Sequence, residues 1–152
     1  IRAGRLGHTF FALGLETRES LKMHAELWRS TLEEYGNTDP KELPIMRECF
    51  VDESSQRARE RARRAVEIKY GQYAKHGLPT AEKALSNGIE SLLEDPFIVG
   101  SPSECLEKLA SLSDFGVTHV DLRLQWPDMS QIEVLKMMDL VGKQIIPGLK
   151  EL

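Results

Sequence analysis

The 152 residues are 41% hydrophobic and 29% charged, the composition of a soluble globular protein of about one domain. With 20 Lys+Arg against 24 Asp+Glu the formal net charge is −4, which argues against a domain that binds nucleic acid by releasing counterions from phosphates. No apolar run approaches the roughly 18 residues of a membrane helix, and the two cysteines, Cys49 and Cys105, are too few for a disulfide framework and point to a reducing, cytoplasmic setting.

The first strand candidate is 8–13, His-Thr-Phe-Phe-Ala-Leu, rich in β-favouring aromatics and closed by Gly14. Thr17 then caps a helix whose Leu21, Ala25, Trp28, Leu32 and Tyr35 recur at spacings of four and three, and Gly36 stops it. A turn cluster at 37–41 leads to a second strand candidate, 44–51. Ser54 or Ser55 opens a highly charged helix reaching about His76, with Ala58, Ala62, Ala65, Val66, Tyr70 and Tyr73 on one face. Together with a less regular stretch to Asp95 it forms a helical insertion over about 54–95.

Ser101-Pro102-Ser103-Glu104 is a capping box with proline at the first helical position. The helix runs through Leu106, Leu109, Ala110 and Leu112 to Gly116, and 117–126 follows as the third strand candidate. A second capping box, Ser130 to Glu133, opens the last helix, with Leu135, Met138, Val141, Ile145 and Leu149 as its apolar stripe. Pro147 should end or bend that helix. Strands alternating with longer helices indicate an α/β fold with a parallel sheet. Three strands are too few to cover both faces of such a sheet.

The strand 117–126 alternates: Val120, Leu122, Leu124 and Trp126 on one side, His119, Asp121, Arg123 and Gln125 on the other. In an open sandwich the polar side faces water. In a closed (β/α) barrel it points inward, toward the C-terminal mouth where active sites lie. Arg47 and Glu48 pose the same question on 44–51, because a charge inside a barrel needs a partner or a ligand.

Several segments together resemble the bacterial luciferase-like monooxygenases. Phe97-Ile98-Val99-Gly100-Ser101-Pro102-Ser103-Glu104-Cys105 is similar to the Val-Gly-(Ser/Thr)-Pro-x-Glu segment of that family. The likeness continues through 115–119, through Leu122 to Pro127, and into Ile146-Pro147-Gly148-Leu149. Upstream, 43–51 resembles the family's Arg-Glu-x-x-Val strand, and the charged helix resembles its insertion after the seventh strand. The resemblance is strongest over 97–152. It implies the C-terminal part of a (β/α)8 barrel, about three βα units plus the insertion, and Ile1 in place of an initiator Met agrees with a piece of a longer chain.

The same resemblance implies a parent enzyme that oxidises a small organic substrate with reduced FMN and oxygen, or one that uses coenzyme F420. It also implies a homodimer, a partner flavin reductase, and an isolated chain that is inactive. Arg123, Gln125 and Trp126 match the end of the eighth strand, beside flavin or substrate, and Arg47 matches an arginine of the seventh. A non-catalytic α/β interaction module is the reading from a different class. Gly100 and Ser101, at a helix N-terminus, suit either plain capping or an anion site. The arginines at 57, 59, 61, 63 and 64 suit a solvated helix face better than nucleic acid, with Glu60 and Arg64 spaced for an ion pair. No His/Cys spacing suits a metal, and both cysteines read as core.

Overall fold

Thr17 accepts the Ser20 amide through its hydroxyl and starts α2 (Arg18–Glu34), which follows a one-turn helix, α1 (Arg2–Arg5). The computed structural model describes residues 1–40 and 42–150; Lys41 of the expected turn cluster lies outside them. α2 buries Leu21, Ala25, Trp28 and Leu32, as its stripe predicts, while Tyr35 at the C-cap is 47% exposed.

β1 (Pro44–Val51) is the central strand. Its first half pairs in parallel with β3 (His119–Arg123), Pro44 opposite His119 through Glu48 opposite Arg123. On the other edge its last three residues pair in parallel with β2 (Ile98–Gly100). The order is therefore β2-β1-β3. β2 is fully buried, and its three residues are too short to show a period in the sequence.

The expected strand at 8–13 reduces to a single parallel bridge, Ala12 to Ile45. Above that point the same edge of β1 is taken by β2, and the His8 carbonyl accepts the Trp28 indole N–H instead of a strand partner. The third expected strand is also shorter, ending at Arg123. The alternation breaks there, and Trp126 lands on the opposite side of the sheet from Val120 and Leu122.

The expected insertion contains α3 (Ser55–Lys75), α4 (Pro79–Ser86) and α5 (Ile89–Glu94). α6 (Pro102–Ala110) follows β2 and ends in a 3₁₀ turn, Ser111–Phe115. α7 (Gln131–Leu140) runs on through a π-helical turn, Val141–Ile145, into α8 (Ile146–Lys150). Pro147 therefore does not end the helix; the hydrogen-bond ladder shifts just before it. The buried stripe differs from the expected one: Met137, Val141 and Ile145 are buried, whereas Leu135, Met138 and Leu149 are exposed. In β1, Cys49 meets Cys105 of α6, while Glu48 and Phe50 meet α3 on the other side.

Candidate functional site

Parallel strands carry their functional side chains near their C-terminal ends. In β1 that end carries Glu48, whose side chain is 2% exposed. Its Oε1 accepts from Lys69 Nζ at 2.5 Å, from the Tyr70 hydroxyl at 3.0 Å and from Arg123 Nη1 at 3.2 Å. Among the described residues its buried Oε2 has no hydrogen-bond partner. Arg123 Nη2 also lies 3.1 Å from the Met46 sulfur, so the guanidinium is tied to β1 at two points.

Lys69 and Tyr70 come from α3, so the insertion supplies half of this cluster. The Lys69 ammonium lies 5.0 Å from the centroid of the Trp126 ring. Burial lowers the Lys69 pKa from its ordinary value, and the Glu48 carboxylate opposes that shift. Burial also raises the Tyr70 phenol pKa, and the neighbouring carboxylate adds to the effect. The phenol is thus held in its hydrogen-donating form, while the Lys69 ammonium relies on its contact with Glu48 against the cost of burial.

The structure brings Arg123 and Trp126 to one cluster and leaves the other candidates outside it. Trp126 is 3% exposed, donates its indole N–H to the Cys49 carbonyl at 2.8 Å and packs against Phe50 and Phe97. It walls the cluster rather than offering an open ring. Gln125 is exposed beyond the end of β3. Arg47 projects from the other side of β1, 1% exposed, with Nη1 donating to the Leu13 and Met46 carbonyls. Lys69 was missed because a lysine near the C-terminal end of a charged helix reads as surface, although its place next to Val66 and Tyr70 puts it on the buried stripe.

At Gly100 and Ser101 the helix N-terminus is filled by the chain's own groups. The Ser101 amide donates to Glu104 Oε2 at 2.7 Å, Ser55 Oγ donates to the same oxygen, and Ser101 Oγ accepts the Glu104 amide. The chain's own carboxylate occupies the helix N-terminus and would repel a second anion. The arginines of α3 are absorbed into ion pairs: Arg57 with Asp52, Arg59 and Arg63 with Glu90, Arg61 with Glu133 and Arg64 with Asp128. Arg64 thus turns to Asp128, while Glu60 accepts from Gln56. Among the described residues no group of three or more His, Cys, Asp and Glu could hold a metal, and no helix is long and apolar enough to cross a membrane.

Met46, His119, Asp121 and Arg123 share one face of the β1–β3 pair, and His119 and Asp121 are exposed there.

Comparison with known proteins bears on the fold and the family. The fold is similar to a monooxygenase, RslO1, of Streptomyces bottropensis at 20% identity, TM-score 0.70, covering 96% of this chain and 43% of that one. It is similar also to the oxygenating constituent of 3,6-diketocamphane monooxygenase of Pseudomonas putida, solved with FMN, at 20% identity and TM-score 0.69, covering 97% and 44%. A third similar structure is the coenzyme F420-dependent tetrahydromethanopterin reductase of Methanopyrus kandleri, at 19% identity and TM-score 0.65, covering 97% and 47%. The chain spans less than half the length of these three structures, as part of a (β/α)8 barrel. No curated protein sequence matches it. The sequence model of one family, described as luciferase-like monooxygenase, matches residues 1–119, stopping short of the Leu122–Trp126 stretch. That match covers most of the chain, and on it the chain belongs to the luciferase-like monooxygenase family.

Proposed function

We propose that this chain forms part of an enzyme that oxidises a small organic substrate with reduced FMN and oxygen. The observation that carries the reading is the buried Glu48–Lys69–Tyr70 cluster, which presents the Arg123 guanidinium, 40% exposed, at the C-terminal end of parallel strands. Reduced FMN would supply oxygen activation, and F420 in its place would supply hydride transfer.

The residues present fit one wall of such a site. The unpartnered buried Oε2 of Glu48 leaves the carboxylate with hydrogen-bonding capacity, and Arg123 has donors free for a carbonyl or phosphate oxygen. Arg123 is the residue of this chain that would hold the cofactor or substrate, with Gln125 beside it. Lys69 and Tyr70 hold the Glu48 side chain in place, so that Arg123 does not have to be ordered when ligand arrives. Trp126 excludes water from the back of the cluster. The working enzyme on this reading is a cytoplasmic homodimer supplied by a flavin reductase, and the isolated chain is inactive because it contributes one wall only.

Oxygen uptake with reduced FMN, compared with F420 reduction, is measured on a barrel-length protein containing this chain. Uptake that depends on substrate is the expected result. F420 reduction without oxygen uptake would move the assignment to the hydride-transfer branch, and neither activity across a substrate panel would defeat the proposal. The chain alone is expected to quench FMN fluorescence weakly; tight stoichiometric quenching would contradict the one-wall reading.

A further inference from the structure

We infer that Arg123, held by Glu48, recognises the oxyanion of an acidic small molecule, a carboxylate or a phosphate, on the open face of β1 and β3. The inference rests on the site assigned above and adds the chemical class of its ligand. Its basis is a count of charge within one cluster.

Glu48 supplies one negative charge, and two cations share its Oε1, Lys69 at 2.5 Å and Arg123 at 3.2 Å. The third donor, Tyr70, is neutral, because burial and the adjacent carboxylate both disfavour its phenolate. By formal charge the groups in contact with Glu48 sum to one positive, while Asp121 on the same face of β3 carries the opposite formal charge and lies outside these contacts. Lys69 makes the shorter contact and its side chain is 9% exposed, so it is the cation that Glu48 neutralises more fully. Within these contacts the remaining positive charge resides on Arg123, whose side chain is 40% exposed.

The hydrogen-bonding inventory agrees with the charge count. A guanidinium has five N–H donors in a fixed fork. Arg123 gives one to Glu48 and one to the Met46 sulfur, a weak acceptor. The three remaining donors have no acceptor among the described residues and are the kind of group that binds a carboxylate or phosphate oxygen. Asp121 lies two residues earlier on the same face, and among the described residues it makes no ion pair with Arg123. His119, further along, bonds Thr118. Arg47, by contrast, is covered on every side and presents no such edge.

The test is an NMR titration of the chain, without flavin or F420, using benzoate, inorganic phosphate and the neutral isostere benzamide. Saturable shifts at the amides of 119–125 are expected for at least one oxyanion and not for benzamide. Arg123→Met is expected to weaken that binding by about tenfold or more, the loss typical of a charge-assisted pair. Arg123→Lys, which keeps the charge but not the fork, should lose less. Arg64→Met, at a side chain 78% exposed, should lose nothing.

Binding of phosphate alone identifies the oxyanion with a phosphate-bearing ligand, and binding of benzoate alone with a substrate carboxylate. Binding that survives Arg123→Met, equal binding of benzamide, or no saturable shift with either oxyanion overturns the inference. Because no redox cofactor is in the sample, a failure of turnover in the full enzyme is read separately from a failure here.

Discussion

Glu48 shows how much one buried carboxylate can organise. Three donors from two elements converge on one of its oxygens, and two of them, Lys69 and Tyr70, are themselves buried. Removing it leaves an ammonium group in the interior with no counter-charge, the costly half of a broken buried pair. Glu48→Ala is expected to destabilise the chain by about 3–5 kcal/mol in urea unfolding. Lys69→Met should cost clearly less, since Arg123 and Tyr70 still satisfy the carboxylate. Equal losses would show that Arg123 and Tyr70 do not compensate for the missing ammonium. At this scale the sequence was half legible. A charged pair, Arg47-Glu48, inside a strand between apolar residues signals that something must answer the charge. What answers it lies 21 and 75 residues away, and no local pattern encodes that pairing. Arg47 and Glu48 are adjacent in sequence, yet the pleat sends them to opposite sides of the sheet.

Elements whose ends are set by local chemistry were the legible ones. Both capping boxes formed as spelled, Ser101 with Glu104 and Ser130 with Glu133. The first does more than cap, because Ser55 at the start of α3 donates to the same Glu104 oxygen and joins the insertion to α6. The Ser55 hydroxyl, then the Ser101 amide, lowers the Glu104 pKa below its ordinary 4.5. A carboxylate with a lowered folded-state pKa contributes stability that is present above 4.5 and is lost as the pH falls through the folded value. Unfolding free energy measured from pH 6 downward should therefore decline less steeply in Glu104→Gln than in the parent. An unchanged slope would remove Glu104 from the acid response. Ser101→Ala should cost about 1 kcal/mol, the usual worth of an N-cap side chain. Elements set by distant pairing were illegible: β2 exists because Cys49–Val51 offers it an edge, and 8–13 meets β1 only at the Ala12–Ile45 bridge.

At the scale of the molecule, a parallel sheet needs cover on both faces and partners on both edges, and this one lacks part of each. β3 pairs only with β1 among the described residues, so its other edge presents unpaired backbone groups. Beside that edge, between β3, α6 and the last helices, runs a groove of about 770 Å³ lined by Leu109, Leu112, Val120, Leu122, Ile145 and Leu149. The exposed Ile132, Leu135 and Met138 of α7 extend the apolar surface. Solvent-exposed apolar area of this extent, next to an open strand edge, favours pairing with another copy. The net charge of −4 on 152 residues is too small to prevent it. The chain should therefore self-associate as its concentration rises, and Val120→Glu, which places a charge in the groove without touching Glu48 or Arg123, should return it toward the monomer. Size-exclusion chromatography with light scattering decides the matter: a monodisperse monomer at every concentration would mean that the groove and edge are closed by the chain itself in solution.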